Sequence, residues 1–429
     1  MDMPAPKMQF CPDMIHQQLG SGLFRPVEAA TFPQHQIRYC NYEAASSVGL
    51  DHLDDASWIA HFGQFHPLNG SFSKPLALCY HGHQFGHYNP ELGDGRGFLF
   101  AQMRDRSGRL LDLGTKGSGT TPFSRTADGR LTLKGAVREI LATEMLAGLN
   151  VNTSRSFSVI ETGECLDRND EPSPTRSAVL VRLSHSHIRI GSFQRLAYMD
   201  DMEGIEILSR HVARYYFSEP EEVGNQQFGN LDADAPLADL LPNLLLRVSA
   251  SIANTVGSWL AAGFVHGVLN TDNFNVTGES FDYGPWRFLP QFDPSLTAAY
   301  FDQTGRYAYG RQSDAALWAV CRLADCFVKI VPQQDLESQL RSFHSLVETQ
   351  LAKQIQWRLG IVFDQDDAER DTALARDFFV AAKESQYGFD QIFHDLYGGQ
   401  PRIEGYIADY WRPVLNYLQD SSPRDEAAL

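Results

Sequence analysis

Short runs of alternating hydrophobic and polar residues fill the first half of the chain, and helical spacing dominates the second. Three strand-like segments, LALCY, GFLFAQM and RLLDLGTK, lie between residues 76 and 116 and are separated by Gly- and Asp-rich turns. Two more, RSFSVIETGE and SAVLVRLS, follow between residues 155 and 184. Alternation bounded by turn residues is typical of β-strands. The pattern therefore predicts a strand-rich first half.

Longer stretches have apolar residues every three or four positions, which predicts helices. One covers residues 135–148, and its apolar positions are Val137, Ile140, Leu141, Met145 and the adjoining Leu149. Another runs from about Leu241 to Ala262, where Gly263 is expected to end it. Residues 312–420 are mostly helical by the same criterion, whereas the Asp-, Glu- and Pro-rich segment 219–239 predicts a loop. Strands followed by helices indicate the α+β class.

The charge balance narrows the range of partners. The formal net charge of −17 disfavours nonspecific binding to nucleic acid or anionic lipid, although a local basic pocket remains compatible with it. The six cysteines contain no C-x-x-C pair, which indicates a reducing compartment. No run of eighteen apolar residues and no targeting sequence is present, so we expect neither a membrane span nor export and predict a cytoplasmic protein.

Phosphate-binding chemistry is suggested by three features of the strand-rich half. The segment Gly93-Asp94-Gly95-Arg96-Gly97 would let backbone N–H groups approach a phosphate. Lys116 ends a strand and Glu139 lies in the following helix, as in the lysine–glutamate pair of protein kinases. Taken alone, such glycines more often form a hairpin turn, and such charges more often lie at the surface.

A fourth feature follows the long apolar helix. His266-Gly267-Val268-Leu269-Asn270-Thr271-Asp272-Asn273 and then Asp282-Tyr283-Gly284 resemble the catalytic loop and metal-binding triplet of kinases. The catalytic aspartate of kinases would fall at Val268, which cannot accept a proton. Asp272 is a candidate for a displaced base, although it could equally cap the loop or support a metal site. Asn273 and Asp282 offer oxygen ligands suited to Mg²⁺ beside phosphates.

Basic residues beyond the kinase set accompany these motifs. Arg182 and Arg189 lie on a predicted strand and in the turn after it, and two guanidinium groups are suited to a terminal phosphate. The turn 125–130 could add contacts, whereas isolated arginines more often form surface salt bridges. His81, His83 and His87 have no Cys or carboxylate partner at metal-ligand spacing, so we interpret them as loop-ordering side chains and not as zinc ligands.

The order of these features predicts a protein-kinase-like fold with two lobes. We expect a strand-rich N-lobe with one key helix, a helical C-lobe, and additional segments at both ends. The predicted division is an N-terminal cap at 1–75, the N-lobe at 76–200, the C-lobe with catalytic and metal loops at 201–311, and a C-terminal helical region at 312–429.

The motifs resemble the selenoprotein O family of protein adenylyltransferases over about residues 20–320. The matching stretches are HGHQFGHYNPELGDGRG (81–97), LGTKGSGTTPFSRTADGR (113–130), VREILATEMLAGL (137–149), SHIRIGSF (186–193), HGVLNTDNFNV (266–276), FDYGP (281–285) and GRYAYGRQ (305–312). Many separate motifs in one order make this resemblance specific. Family members usually carry a longer C-terminal tail with a redox-active Cys or selenocysteine, and the last cysteine here is Cys326. The resemblance is therefore to a short member without that tail.

The resemblance implies that ATP is bound in a flipped orientation, with its γ-phosphate inside and its α-phosphate toward the acceptor. AMP would then move to Ser, Thr or Tyr hydroxyls of proteins, including the enzyme itself, and pyrophosphate would leave. The resemblance assigns nucleotide contacts to Gly93, Gly95, Arg96, Lys116, Asp128, Gly129, Arg182, Arg189 and Asp282. It makes Asp272 the base, lets Glu139 orient Lys116, and gives Mg²⁺, or alternatively Mn²⁺, to Asn273 and Asp282.

Two other functions remain compatible with the residues. An atypical kinase would transfer the γ-phosphate and use Asp272 as its base. A catalytically inactive nucleotide-binding scaffold would bind ATP without turnover. The joint presence of Lys116, Glu139, Asn273 and Asp282 argues against the scaffold, since an inactive module needs no complete metal set.

Overall fold

The computed structural model describes residues 8–169, 171–223, 226–362, 368–399, 406 and 408–424. Its larger sheet has nine antiparallel strands, seven of them in the order β2-β4-β7-β8-β11-β10-β3, with β1 paired to β7 and β9 to β11. The strands are Cys11–Asp13 (β1), Phe24–Pro26 (β2), Gln36–Cys40 (β3), Leu76–Leu78 (β4), Gly82–Gln84 (β5), His87–Asn89 (β6), Leu99–Arg104 (β7), Leu110–Lys116 (β8), Leu131–Thr132 (β9), Arg155–Leu166 (β10), Thr175–Ser184 (β11), Glu221–Val223 (β12), Gln226–Phe228 (β13), Phe264–His266 (β14) and Trp286–Phe288 (β15).

Helices make up most of the chain after β11. The helices are Tyr42–Ser47 (α1), Asp55–Phe62 (α2), Leu133–Gly148 (α3), Ile190–Tyr198 (α4), Met202–Tyr216 (α5), Leu237–Ala262 (α6), Gln312–Ala324 (α7), Gln333–Leu340 (α8), Phe343–Leu359 (α9), Ala368–Ser385 (α10), Phe389–Leu396 (α11) and Arg412–Gln419 (α12). Within the described ranges, none of these helices is both long and apolar enough to cross a membrane.

The five strands predicted from alternation are confirmed by β4, β7, β8, β10 and β11. Strand β8 is buried at every position because it lies in the middle of the sheet, between β7 and β11. Its alternate residues Leu111 and Leu113 join an aromatic cluster with Trp58 of α2, whereas Leu110 packs into the core of the helical half. One strand thus contributes to both hydrophobic cores, as period-2 alternation allows.

Residues 8–75 contain more regular structure than the irregular cap we expected. Strand β1 pairs with β7, β2 with β4 and β3 with β10, so this segment extends the same sheet. Its helix α2 buries Trp58 and Phe62 against Phe157 of β10, with ring centroids 5.1 and 5.2 Å apart. The many turn residues of this segment did not predict strands. Its strands are short, and they form only by pairing with strands that follow later in the chain. The predicted division at residues 200 and 311 stays a prediction.

Helix α3 begins two residues before its predicted start and ends at Gly148, as predicted. The Thr132 hydroxyl caps it by accepting a hydrogen bond from the Gly135 amide at 3.1 Å. The apolar stripe of Val137, Leu141 and Met145 is exposed to solvent by 41, 56 and 42%. The side that packs on the sheet consists of mostly small residues and one glutamate, namely Ala136, Glu139, Ala142, Thr143 and Leu146.

The long helix α6 forms the axis of the helical half. It starts at Leu237, four residues earlier than predicted, and ends at Ala262, where Gly263 adopts the left-handed conformation with φ 66°. Its buried side packs against α9 and α7. The segment 219–239, predicted as a loop, contains the hairpin β12–β13 and the start of α6. The prediction of a loop was therefore wrong for these residues. Strands of three residues are too short to show alternation, so their pairing into a hairpin is not visible in the sequence.

Architecture of this kind is an α+β, protein-kinase-like fold with two lobes. The antiparallel sheet with α3 forms the strand-rich lobe, and the bundle around α6 forms the helical lobe. Helices α7 to α12 confirm that residues 312–420 are mostly helical where the structure describes them. The segment between β14 and β15 carries the predicted catalytic and metal loops, so both loops emerge between the lobes.

Candidate active site

Lys116 is the centre of a buried charge cluster. It ends β8 with 6% of its surface exposed and forms ion pairs with Glu139 of α3 and with Asp282. Burying an ammonium group is unfavourable unless it is paired, and two carboxylates pair this one. The structure thus brings together residues from β8, α3 and the loop before β15 that lie far apart in sequence.

Glu139 has a second contact that fixes the neighbouring loop. Its Oε2 accepts a hydrogen bond from the backbone N–H of Tyr283 at 3.2 Å. The Tyr283 hydroxyl in turn donates to Ser280 Oγ at 2.7 Å. Asp282 lies between these anchors in the left-handed region, with φ 61°, which is uncommon for a residue other than glycine. Surrounding contacts therefore hold Asp282 in a conformation that the isolated chain would disfavour.

Arg182 and Arg189 approach the same carboxylate from β11 and from the start of α4. Arg182 Nη1 lies 3.7 Å from Asp282 Oδ1, and Arg189 Nη1 lies 3.9 Å from Asp282 Oδ2. Both guanidinium groups lie over the Phe281 ring, at 5.1 and 4.9 Å, and Arg189 also lies 4.3 Å from the Tyr80 ring. Only 5% and 3% of these arginines is exposed, so the predicted extra cations are buried.

Several donors in this cluster make no hydrogen bond to the described residues, although Arg182 Nη1 is within ion-pair distance of Asp282. Among the described residues, Arg182 Nε and Nη1 and Arg189 Nε are buried without a hydrogen bond. Buried donors of this kind are rare and leave capacity for an anionic ligand. Burial by itself would raise the pKa of Asp282, but Lys116, Arg182 and Arg189 together hold that pKa well below its usual range. Three cations therefore surround the Asp282 carboxylate and keep it ionised.

The catalytic-loop motif is built around a neutral histidine. His266 Nδ1 accepts the N–H of Val268 at 3.3 Å, and its Nε2 donates to the Phe281 carbonyl at 3.3 Å. Burial lowers the pKa of His266, which favours this neutral form. Asn273 donates its side-chain N–H to the Val268 carbonyl at 2.9 Å. The amide oxygen, Oδ1, is not used in this bond and could serve as a metal ligand. His266 thus joins the catalytic loop to the residue that precedes Asp282.

Asp272 lies in a 3-10 turn, Thr271–Asn273, beside the buried arginines. Its backbone carbonyl accepts Arg189 Nη1 at 2.8 Å, whereas its side-chain Oδ1 is buried without a partner among the described residues. Burial raises the pKa of Asp272 to about 6. A Cβ on Gly82 would lie 2.9 Å from this Oδ1, so the glycine makes room for the carboxylate.

The hairpin β5–β6, which carries the histidine-rich motif, packs on the catalytic loop. The N–H of His83 donates to Thr271 Oγ1 at 2.7 Å, and that of Phe85 donates to Asn270 Oδ1 at 3.0 Å. His83 Nδ1 lies 2.7 Å from the Gln194 amide nitrogen. These contacts of His83 agree with the interpretation of the histidine-rich motif as a segment that orders its loop. Hydrophobic periodicity does not predict this contact with the catalytic loop, because the two segments are distant in the chain.

The glycine-rich segment folds back on the turn that follows Lys116. A Cβ on Gly93 would clash with the Phe123 ring at 2.3 Å, and one on Gly95 would lie 3.0 Å from the Phe123 carbonyl oxygen. Arg96 is exposed at the edge of this segment. Asp94 was missed by the sequence reasoning although it lies inside the motif: its Oδ2 accepts the Leu78 N–H at 3.1 Å and its Oδ1 lies 3.4 Å from Arg189 Nη2.

Asp128 and Gly129 lie in the same turn region but outside the charge cluster. The exposed Asp128 carboxylate accepts both Nη atoms of Arg168, at 2.8 and 3.1 Å. Gly129 has φ 70°, and a Cβ there would lie 2.3 Å from the Gly119 backbone. The structure therefore gathers Lys116, Glu139, Arg182, Arg189, Asp272 and Asp282, and it leaves Asp128 facing Arg168.

Fold and site together define a kinase-like protein that has a buried cluster of cations and a valine, Val268, at the position of the usual catalytic aspartate. Residues 5–404 match the family model described as "Protein adenylyltransferase SelO". The chain therefore belongs to the SelO family of protein adenylyltransferases, which are nucleotidyltransferase enzymes. The family implies ATP and proteins as its substrates.

Similar proteins carry related names. The protein nucleotidyltransferase YdiU of Synechocystis sp. is 44% identical over 387 residues, which cover 89% of this chain and 78% of that protein. YdiU of Synechococcus elongatus is 44% identical over 406 residues, covering 93% and 77%. YdiU of Vibrio cholerae is 33% identical over 379 residues, covering 88% and 73%.

Among solved structures, a Toxoplasma gondii rhoptry antigen kinase domain is similar over 73% of this chain and 85% of that chain. Its sequence identity is 10% and its TM-score is 0.30. The kinase-like assignment rests instead on the arrangement of sheet, α3 and catalytic loop described above.

Proposed function

We propose that this protein transfers AMP from ATP to Ser, Thr or Tyr hydroxyls of other proteins and releases pyrophosphate. The observation that carries the proposal is the pair of buried arginines, Arg182 and Arg189, which share Asp282 with Lys116 and have N–H groups without a hydrogen bond among the described residues. Guanidinium groups bind phosphate through charge-assisted, often bidentate hydrogen bonds. A terminal phosphate held at this depth would leave the α-phosphate nearer the opening, which is the flipped orientation of ATP.

Asp272 is the proposed base. Val268 occupies the position of the kinase aspartate and has no group that accepts a proton. Asp272 instead offers a buried Oδ1 that has no hydrogen bond among the described residues, and the raised pKa of its carboxyl group, about 6, is close to neutrality. In the proposed step the acceptor hydroxyl oxygen forms a bond to the α-phosphorus, its proton passes to Asp272, and the bond to the bridging oxygen breaks. Pyrophosphate leaves with that electron pair.

Lys116, Arg182 and Arg189 are proposed to bind the negative oxygens of the triphosphate. Stabilisation of developing charge by fixed cations in a buried site is commonly the largest contribution to catalysis of this kind. Glu139 is proposed to orient Lys116 and, through its bond to the Tyr283 N–H, the loop of Asp282. The ion pairs of Lys116 with Glu139 and Asp282 support this positioning role.

Asn273 and Asp282 are proposed to hold Mg²⁺, or alternatively Mn²⁺. Their amide and carboxylate oxygens fit a hard cation that takes one or two protein ligands and completes its shell with phosphate oxygens and water. No group of three or more His, Cys, Asp or Glu side chains that could hold a metal alone occurs in the part of the chain that the structure describes. When bound, the cation would neutralise charge on the triphosphate.

The remaining nucleotide contacts are proposed for the glycine-rich segment and the turn after Lys116. Gly93 and Gly95 keep this backbone free of side chains, and Arg96 is exposed beside it. Gly129 and Asp128 belong to the same turn region. For Asp128 to contact nucleotide its carboxylate would have to leave Arg168, so a backbone contact is the simpler proposal.

Labelled ATP tests the proposal directly. The purified chain is incubated with a protein mixture, Mg²⁺ and ATP labelled on either the α- or the γ-phosphate. The α-label should appear on protein, and pyrophosphate should be released in equal amount. Transfer of the γ-label would show instead that the protein is an atypical kinase, and ATP binding without either transfer would show a scaffold. Intact-mass measurement of the enzyme would reveal self-adenylylation.

A matched variant pair makes this test specific to the site. Asp272→Asn keeps the shape of the side chain and removes its ability to accept a proton. Glu144→Gln changes a glutamate on α3 that instead accepts hydrogen bonds from Tyr39 and Asn41, at 3.0 and 3.2 Å. Transfer of the α-label should be lost in the first variant and kept in the second.

A further inference from the structure

Asp112 is a buried carboxylate to which the proposed reaction gives no role. It lies on β8, four residues before Lys116, and its exposed fraction is 0%. In the part of the chain that the structure describes, no Lys or Arg forms an ion pair with Asp112, and its ionisable partner is His187. Burying a carboxylate is unfavourable unless hydrogen-bond donors surround it. The donors on Asp112 therefore show which parts of the fold this charge holds together.

Three contacts of the Asp112 carboxylate join β8 to the turn before α4. Its Oδ1 accepts the Gln102 side-chain amide at 2.8 Å. Its Oδ2 accepts the backbone N–H of His187 at 2.9 Å and lies 3.3 Å from Nδ1 of the same residue. Because a carboxylate only accepts, Nδ1 is the nitrogen of His187 that carries the proton.

The charge states of the pair follow from burial and from this bond. Burial by itself would raise the pKa of Asp112, but the hydrogen bond from His187 and its other contacts hold that pKa below its usual range. Burial lowers the pKa of His187. Near neutral pH the carboxylate is therefore ionised, and the imidazole is neutral with its proton on Nδ1.

The His187 ring lies over Gly114, which separates Asp112 from Lys116 along β8. A Cβ on Gly114 would lie 2.2 Å from His187 Nε2, so only glycine leaves room for the ring. Residues 112, 114 and 116 share one face of the strand because side chains alternate. Arg182 is directly opposite Gly114 on β11. The imidazole thus fills the space on the face of the sheet that carries the proposed phosphate-binding cations.

Arg189 follows His187 by two residues and is held from two sides. Its backbone pairs with that of Asn275, just after the catalytic loop. Through His187, the Asp112 carboxylate fixes the other side of the turn to β8, the strand that ends with Lys116. The two contacts together determine where the Arg189 backbone lies relative to Lys116.

We propose that Asp112 and His187 are positioning residues of the ATP site, which hold Arg189 at the distance from Lys116 that fits the terminal phosphate. Neither residue needs to contact the nucleotide, because their effect acts through Arg189. A misplacement of about 1 Å at such a site can cost roughly 10²-fold in rate. The inference rests on the AMP transfer proposed above and adds two residues that set the selectivity for a triphosphate.

The affinities of two nucleotide analogues test this role by calorimetry on the full chain with Mg²⁺. α,β-Methylene-ATP carries the terminal phosphate and cannot release pyrophosphate, whereas α,β-methylene-ADP lacks that phosphate. His187→Leu removes the donors of the ring to Asp112 and should weaken the triphosphate analogue roughly 10- to 100-fold, as expected for one hydrogen bond to a charged group. The diphosphate analogue should change less than about threefold. His187→Asn places an amide N–H close to the position of Nδ1 and should recover most of the triphosphate affinity.

A matched control separates positioning from general destabilisation. Asp395 on α11 is another buried carboxylate, 6% exposed, which accepts the Tyr406 hydroxyl at 3.1 Å and lies 3.1 Å from His394 Nδ1. Asp395→Asn and Asp112→Asn should both lower the melting temperature. Only Asp112→Asn should lower the ratio of triphosphate to diphosphate affinity.

A double-mutant cycle shows whether the effect passes through Arg189. In an Arg189→Lys background, His187→Leu should change the affinity ratio little, since the group that it positions has already been replaced. Additive effects would overturn the inference, and so would an unchanged ratio in both His187→Leu and Asp112→Asn. If the unmodified protein binds neither analogue, the proposed function fails and this inference with it. Tight binding with a ratio that the variants leave unchanged overturns the inference alone.

Discussion

Replacing Glu139 separates the two tasks that its carboxylate performs. One oxygen pairs with Lys116, and the other accepts the backbone N–H of Tyr283 at 3.2 Å. Glu139→Gln removes the charge but keeps an oxygen that can accept from Tyr283. Glu139→Ala removes both contacts. Comparing the two variants therefore measures the ion pair and the loop contact separately.

The structure sets the expected size of each effect. In Glu139→Gln, Lys116 would keep only Asp282 as a partner, which also is a proposed metal ligand. Loss of one charge-stabilising contact slows such reactions roughly 10²- to 10³-fold. We expect the lower end, about 10²-fold or about 2.7 kcal/mol, because Asp282 still holds the lysine in the pocket. Glu139→Ala should lose about 1 kcal/mol more, roughly fivefold in rate.

Glu139→Gln should change the free energy of unfolding less than the activation free energy of the reaction. Removing one partner of a buried ion pair typically costs about 3–5 kcal/mol, because the other charge is left uncompensated. Here Lys116 retains Asp282, so we expect about 1–2 kcal/mol for Glu139→Gln, below that range. A large loss of rate with a small loss of stability would distinguish catalytic positioning from general unfolding.

The assay is transfer of α-labelled AMP at several ATP concentrations, combined with ATP affinity and thermal melting for each variant. The contribution should appear in kcat more than in KM, because positioning of Lys116 matters most when charge develops. Glu144→Gln on the same helix is the control and should behave as the unmodified protein. Activity of Glu139→Gln within twofold of the unmodified protein would refute the reasoning, as would an equal loss in Glu144→Gln.

Other predictions concern three further carboxylates and Arg189. Asp272→Asn should lower adenylyl transfer roughly 10²- to 10⁴-fold while ATP affinity changes little, as measured by labelled transfer and by equilibrium binding. Asp282→Asn should reduce transfer and raise the Mg²⁺ concentration needed for half-maximal activity, and an unchanged Mg²⁺ titration would exclude it as a metal ligand. Because folding raises the pKa of Glu279 from 4.5 to about 7, its protonated form is favoured in the folded state and stability should fall as pH rises through that window. Denaturant unfolding should therefore show Glu279→Gln gaining up to about 3 kcal/mol over the unmodified protein between pH 5 and pH 8, and a difference independent of pH would contradict this. Arg189→Lys should weaken ATP binding, measured by calorimetry, since a lysine cannot reproduce the planar donors over Tyr80.

Local chemistry in the sequence was sufficient for most elements and for the candidate catalytic residues. Alternation marked β8 and β11, and a glycine that tolerates the left-handed conformation marked the end of α6 at Gly263. The spacing of motifs put Lys116, Glu139 and Asp282 into a single hypothesis. Each element and each motif is visible by itself because it depends on residues within a few positions of one another, even though the motifs lie far apart in the chain.

Only the tertiary structure decided which face of each helix is buried and which charged groups from distant parts of the chain come into contact. Val137, Leu141 and Met145 formed the apolar stripe of α3, yet the helix turns mostly small residues and Glu139, which pairs with Lys116, toward the sheet. Lys116 and Asp282 are separated by 166 positions, and their contact exists only when the two lobes are packed together.

The sequence also did not predict the contacts made by Asp94, Asp128 and the hairpin β5–β6. Asp94 appeared as one residue of a glycine-rich turn, and only the fold places it beside the buried Arg189. Asp128 appeared as a nucleotide contact, and the fold turns its carboxylate toward Arg168. The sequence alone determined the inventory of charges, the elements that carry them and their order. Their convergence was decided by the packing of the sheet, α3 and the catalytic loop, because Coulomb attraction and hydrogen bonding act through space and not along the chain.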